Sequence, residues 1–245
     1  MISGKSDPVH PFVPLPEETV FIGARLCPKA QSIERAVYSL KSDILSYRNG
    51  TEALTNPWFH NRYTFYTVWM FAFATGVRAI NTPYVKPFEV SELNGSALLR
   101  DKDSDSGQKA KLIWIPEKLK IQMDHYSIFI GDRPDQISTH DPCYFIDEEN
   151  AKHLPVRPKS LEPYLAEYLP GFPVGIHRRF MFNALLDSGC PPETVRVWMG
   201  HATVGDEPWS AFGSFSYARH RDLLFKHLLG VLNYLGFEPI AGDRR

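Results

Sequence analysis

The chain has 245 residues, of which 43% are hydrophobic, and its 27 basic against 28 acidic residues give a net charge of −1. This length fits one large domain or a domain with an appendage, and no apolar run approaches the roughly 18 residues of a membrane span. The neutral total excludes the global basic footprint of many nucleic-acid binders, but it allows a local basic cleft.

The N-terminal stretch "MISGKSDPVHPFVPLPEE" lacks the charged start and apolar core of a secretory signal. Its prolines predict an extended lead-in over residues 1–29. The three cysteines, Cys27, Cys143 and Cys190, are far apart and odd in number, which favours a reducing compartment over a disulfide framework or a zinc site. We therefore expect a cytoplasmic protein.

Two helices are predicted in the first third of the chain. Residues 30–47 carry apolar side chains at helical spacing and end at the turn "RNGTE". The next helix begins at Pro57 behind Asn56, which suits a cap, and it ends at Gly76. Because this second helix is apolar on nearly every face, we expect it to be buried at the centre of the fold.

Short runs then replace the helical pattern. "FEVSEL", "SALLRD" and "AKLIWIP" predict a small antiparallel sheet between residues 87 and 116. A helix is expected over 117–130, and the proline-containing stretch 131–160 is interpreted as irregular surface structure. The predicted fold class is mainly α with a small antiparallel β-sheet (α+β).

The last third predicts helices over 160–169, 177–188, 192–199 and 218–237. Gly189 suits the left-handed position that ends a helix, and Gly200 ends the next one, so that His201 follows directly. Val195 and Met199 are expected to point inward, and Tyr234 is expected to pack in the core among leucines. The terminal helix packs either within the domain or on a neighbouring subunit.

Arg178 lies in the first turn of helix 177–188, where its charge faces the positive end of the helix dipole. Such a position costs up to about 1 kcal/mol unless an anion binds between the two. Two interpretations remain open: either Arg178 and Arg179 extend into solvent, or they contribute to an anion site.

The order and spacing of several motifs resemble the catalytic domain of the tyrosine recombinases, the phage integrase family. Arg178, Gly189, Gly200 and His201 follow one another at 11-residue steps that end in a "GH" pair. Upstream, "FATGVRAINTP" is similar to the family's first arginine motif, with Arg78 as its counterpart. The hairpin "GQKAKLIWIP" is similar to the strand pair that carries the family's lysine; Lys109 is the best match, with Lys111 or Lys102 as alternatives.

This resemblance covers residues 58–237 and implies a catalytic domain over 30–245. The family generally carries a separate N-terminal helical domain that clamps DNA, but the residues before Pro57 supply at most one or two helices. We therefore expect that domain to be absent, so that the sequence is either the catalytic part of a longer integrase or a protein without its own clamp. It implies a site-specific recombinase of a mobile element or phage, which cleaves and rejoins double-stranded DNA through a 3′-phosphotyrosyl intermediate. The partner would be DNA, the protein would assemble as a dimer or tetramer on it, and it would be nucleoid-associated when acting. Neither metal, ATP nor another cofactor is implied.

The resemblance also implies a role for each matching side chain. Arg78 and Arg178 would clamp the phosphate, because a guanidinium binds two oxygens at once with a permanent charge. Lys109 would protonate the departing 5′-oxygen, His201 would support the phosphate, and Tyr217 would attack phosphorus.

Two positions depart from the family pattern. Gly175 stands where the family has a histidine, and His177 is the candidate to reach the same phosphate instead. Tyr217 follows His201 by 16 residues, farther than is usual, so it is alternatively an aromatic anchor of the final helix. The alternative functions are a DNA-binding module of the same fold that has lost cleavage, and a type IB topoisomerase-like nicking and closing enzyme.

Overall fold

The structure is a computed structural model that describes residues 19–22, 25–47, 56–78, 89–99, 111–131, 143–201 and 216–242. The helices are α1 (Ala30–Tyr47), α2 (Pro57–Thr75), α3 (Glu117–Gly131), α4 (Pro158–Tyr168), α5 (Ile176–Asp187), α6 (Pro192–Trp198) and α7 (Tyr217–Tyr234). The strands are β1 (Thr19–Ile22), β2 (Arg25–Pro28), β3 (Ser96–Leu99), β4 (Lys111–Trp114), β5 (Tyr144–Ile146) and β6 (His153–Pro155). Three antiparallel pairs form in this part of the chain, β1 with β2, β3 with β4 and β5 with β6. The predicted mainly helical α+β class is confirmed.

Helix α2 is the centre of the fold, as its all-round apolarity predicted. It is buried from Phe59 to Thr75 and packs against α1, α3, α4, α5, α7 and β5. At its start the Asn56 side chain accepts a hydrogen bond from Trp58 N, at 2.9 Å, and at its end Gly76 adopts a left-handed conformation. Both predicted ends of α2 are therefore confirmed, and the Gly76 cap sets the position at which the chain leaves the helix.

The hairpin of β5 and β6 corrects the prediction that residues 131–160 are irregular. Asn61 of α2 accepts a hydrogen bond from Ile146 N, at 2.7 Å, and donates to Ile146 O, at 2.8 Å. His60 Nε2 contacts Tyr144 O at 2.9 Å. The side chains of a buried helix thus pair with the strand as a neighbouring strand would, and this long-range pairing leaves no local signal in the sequence.

The sheet predicted over residues 87–116 is smaller than expected. Strands β3 and β4 pair with Ser96 opposite Trp114 and Leu99 opposite Lys111. The run "FEVSEL" was predicted as a strand, but its described residues, 89–93, form a short turn instead. Asn94 accepts hydrogen bonds from the backbone and the hydroxyl of Ser96, and Gly95 has a positive φ of 63°, so that the chain turns here.

The terminal helix α7 packs within the domain through a stripe of buried leucines, Leu224, Leu228 and Leu232. Tyr234 lies on the opposite face and is 51% exposed, so its predicted place in the core is wrong. Ser216 caps the helix by accepting from Arg219 N, which makes Tyr217 its first residue. None of the helices in the described ranges is long and apolar enough to cross a membrane.

The strands β1 and β2 lie inside the predicted lead-in. They form a hairpin, and Cys27 of β2 is buried in the core beside α5. The absence of a separate clamping domain stays a prediction.

The left-handed turn at Gly76 gives a test of how α2 ends. A Cβ at Gly76 would lie 3.0 Å from the Trp198 ring on a backbone with φ of +58°. We expect Gly76→Ala to lower the free energy of unfolding by about 2–4 kcal/mol, from backbone strain and overpacking together.

Gly230 is the matched control, because it lies in α7 and a Cβ there would meet nothing within 4 Å. We expect Gly230→Ala to raise the free energy of unfolding by about 0.5–1 kcal/mol. Urea unfolding followed by circular dichroism measures both variants. Equal effects in the two variants would contradict the role assigned to the turn.

Candidate functional site

A basic cleft of about 470 Å³ lies where α2 ends, α5 begins and α6 ends. Its lining consists of Arg78, Gly175, Arg178, Arg179, Phe182, Asn183, Met199 and His201. Arg78 follows the Gly76 turn, the two neighbouring arginines belong to the first turn of α5, and His201 follows α6. Three chain segments thus bring three arginines and a histidine to one cavity, and no acidic side chain is among the described residues that line it.

Arg178 is held by the backbone at the ends of two other helices. Its guanidinium donates to Gly76 O after α2 and to Met199 O after α6, the latter at 3.0 Å. Its Nη2 also lies 3.4 Å from His201 Nε2. The cation therefore faces the negative ends of α2 and α6, and these offset the repulsion by its own helix that the sequence predicted. The backbone thereby sets the position of the guanidinium at the edge of the cleft.

Lys111 of β4 is buried beneath the same two helix ends. Its Nζ donates to Thr75 O at 3.1 Å, to Gly76 O at 3.1 Å and to Trp198 O at 3.3 Å. An ammonium has three donor hydrogens, so three carbonyl acceptors match its donor capacity. Lys111 does not line the cleft, and in this arrangement it is a structural cation rather than an alternative proton donor.

His177 is turned away from the cleft lining. It is 5% exposed, and its Nε2 lies 2.7 Å from Val77 O, one residue before Arg78. Burial, together with the nearby charges of Arg178 and Lys111, lowers the pKa of His177 to about 4. A neutral imidazole that meets a carbonyl through Nε2 carries its proton there and donates it. The structure thus places His177 behind Arg78, where it fixes the backbone, and not at the position expected for a phosphate ligand.

Tyr217 does not line the cleft either. As the first residue of α7 it packs against Trp114 of β4, with ring centroids 6.4 Å apart in an edge-on arrangement. The stretch 202–215 between His201 and the α7 cap lies outside the described residues. Lys109 and its alternative Lys102 also lie outside them, so their predicted roles stay predictions.

His220 joins three elements near Tyr217, and the sequence did not single it out for this role. Its Nδ1 accepts a hydrogen bond from Trp114 Nε1 at 3.0 Å, and its Nε2 meets Thr194 O at 3.1 Å. Burial lowers the pKa of His220, which favours this neutral form. The first turn of α7 is therefore anchored to β4 and to α6.

The cleft brings together Arg78, Arg178 and His201 from the predicted set and adds Arg179. The arginine next to Arg178 was visible in the sequence, but its place in the cleft depends on how α5 is rotated. A scan against protein-family models finds no match to the chain, and a search of curated proteins finds none either.

The low pKa of His177 predicts acid-sensitive folding. Its pKa is about 4 in the folded chain against 6.5 ordinarily, so the unfolded chain binds the proton more readily. The stability that neutral His177 contributes is full above pH 6.5 and is lost as the pH falls toward about 4. We expect protonation of this group to lower the free energy of unfolding by about 2 kcal/mol between about pH 7.5 and about pH 5.

His177→Gln isolates this contribution, because an amide can still donate to Val77 O but does not titrate in this range. Free energies of unfolding at the two pH values measure it in both proteins. We expect the variant to lose less stability than the wild type by about 2 kcal/mol, because the two proteins differ only at this group. An identical pH dependence in the two proteins would contradict the buried neutral state.

Proposed function

We propose that the basic cleft binds a phosphate of double-stranded DNA and that the chain is a DNA strand transferase of the tyrosine recombinase type. The observation that supports this proposal is the meeting of Arg78, Arg178 and His201 in one cavity. Arg178 lies 100 positions after Arg78 and 23 positions before His201 in the chain. The resemblance assigns the same three residues to the phosphate. A cavity lined by permanent cations, with no carboxylate among its described lining, suits a phosphodiester.

In the proposed reaction the arginines stabilise the negative charge that develops on the phosphate. The Tyr217 oxygen attacks phosphorus and passes its proton to a general base, for which His201 is the candidate, while negative charge builds on the non-bridging oxygens between the arginines. The bond from phosphorus to the 5′-oxygen breaks, and this oxygen takes a proton from a general acid, for which Lys109 is the candidate. The 3′-phosphotyrosyl bond keeps the energy of the broken ester, so that a 5′-hydroxyl can reverse the step and rejoin a strand.

The position of Tyr217 sets a requirement on this reaction. In the structure its ring rests on Trp114, and it is 37% exposed at the start of α7. Cleavage therefore requires the first turn of α7 to approach the cleft, or a second protomer to supply the tyrosine. The interactions of His220 with Trp114 and Thr194 oppose a movement within one protomer.

A DNA-binding module without cleavage is the second candidate. It is favoured by the distance of Tyr217 from the cleft lining and by Gly175, which stands where the family has a histidine. Gly175 caps α5 with a φ of 91°, a conformation that suits glycine far better than histidine.

A pool of nicked duplexes with randomised sequence around the nick tests cleavage, because a released end traps the covalent intermediate. We expect the wild type to form a protein-DNA adduct that survives denaturing electrophoresis. Tyr217→Phe removes the nucleophile and should abolish the adduct, whereas Tyr234→Phe, on the exposed face of α7, should keep it.

An adduct that persists in Tyr217→Phe would contradict the assigned nucleophile. DNA binding that depends on Arg78 without any adduct across the pool would overturn the transferase and leave the binding module.

A further inference from the structure

One face of α5 forms a wall of the cleft and presents more polar and aromatic side chains than the binding of one phosphate requires. Arg178, Arg179, Phe182 and Asn183 all line the cavity. They occupy neighbouring positions over one helical turn and part of the next, because residues four apart stand above one another. Cations, an aromatic ring and an amide therefore lie side by side along the cleft.

The two neighbouring arginines are directed to different places. The guanidinium of Arg178 is fixed on Gly76 O and Met199 O, at the ends of α2 and α6. Arg179 is the next residue of α5, so its side chain leaves the helix about 100° away from that of Arg178, and its charge opposes the rise that burial causes in the pKa of the Cys27 thiol. Asn183 stands on the same side, since its Nδ2 donates to Arg179 O at 3.0 Å and it lines a neighbouring cavity together with Cys27. The cleft therefore has one cationic end at Arg178 and another at Arg179.

The size of the cleft agrees with two separate anion positions. Its volume of about 470 Å³ falls in the range of pockets that hold whole small molecules, which is about 300–1,000 Å³. From residue 178 to residue 183 the helix rises about 7.5 Å. The wall is therefore longer than one phosphate, and Arg178 and Arg179 can each reach a different phosphate because their side chains leave the helix in different directions.

We propose that the cleft is a two-phosphate site, in which Arg179 binds the phosphate next to the one held by Arg78, Arg178 and His201. The deoxyribose between the two phosphates then packs along Phe182. This inference rests on the proposed function and adds to it a second contact on the same strand. Arg179 acts as a positioning residue, because a strand held at two phosphates cannot slide along the cleft.

Thymidine 3′,5′-bisphosphate is a probe that carries two phosphates on one sugar and needs no knowledge of the DNA target. Isothermal titration in a phosphate-free buffer compares it with thymidine 3′-monophosphate and thymidine 5′-monophosphate. We expect the wild type to bind the bisphosphate about tenfold more tightly than either monophosphate, since a second charge-assisted contact forms.

Arg179→Ala should reduce this gain to about twofold or less, because only one of the two phosphate contacts is left. Arg179→Lys keeps the charge without the planar fork and should keep part of the gain. Arg35→Ala is the matched control, because it removes an exposed arginine from α1, away from the cleft, and it should keep the full gain. Circular dichroism confirms that each variant is folded.

Equal binding of bisphosphate and monophosphates by the wild type, or the full gain in Arg179→Ala, would overturn the two-phosphate site. These outcomes are separate from the test of the proposed function. If the wild type forms an adduct on nicked DNA but Arg179→Ala keeps the full gain in affinity for the bisphosphate, the strand transferase is supported and the two-phosphate site is overturned. If Arg179→Ala loses the gain in affinity but the wild type forms no adduct on nicked DNA, the two-phosphate site is supported and cleavage is overturned.

Discussion

The Lys111 ammonium is the interaction on which the candidate site depends. It is 4% exposed, and it joins the carbonyl ends of α2 and α6 by donating to Thr75 O, Gly76 O and Trp198 O. Each of these helix ends carries partial negative charge, so without a cation between them they would repel each other. Because Arg78 follows one end and His201 follows the other, the position of both in the cleft depends on this lysine.

Carbonyl groups at the same two helix ends explain how the cleft remains positively charged although Arg178 is held in place. Arg178 contacts Gly76 O and Met199 O, which are dipoles without net charge. Carbonyl groups can therefore orient a guanidinium without neutralising it, whereas a carboxylate in the same place would cancel its charge. His177 contributes in a neutral form, since its Nε2 binds Val77 O and burial keeps its pKa low. The protein thus positions cations with backbone groups, which favours the binding of an anion.

Features that depend on local chemistry could be predicted from the sequence, and those that depend on distant partners could not. Helix α2 was predicted from Asn56 to Gly76 because its caps and its continuous apolarity depend only on residues that are neighbours in the sequence. Gly189 and Gly200 also placed the ends of α5 and α6 correctly, since both glycines adopt the left-handed conformation that ends a helix. By contrast, the hairpin of β5 and β6 depends on Asn61, 85 positions away from its partner Ile146. The direction of His177 and the packing of Tyr217 on Trp114 likewise depend on residues that lie about a hundred positions away.

The most direct measurement of the central interaction is the free energy of unfolding of Lys111→Met. Methionine approximates the length of the lysine stem but removes this donor from Thr75 O, Gly76 O and Trp198 O. Gly76 O keeps its hydrogen bond from Arg178, and the loss at each of the other two carbonyls costs about 1–3 kcal/mol. We expect urea unfolding to show a loss of about 3 kcal/mol or more, whereas Lys159→Met, at an exposed position of α4, should stay within about 0.5 kcal/mol of the wild type. A Lys111→Met protein as stable as Lys159→Met would show that the ammonium does not hold the two helix ends together.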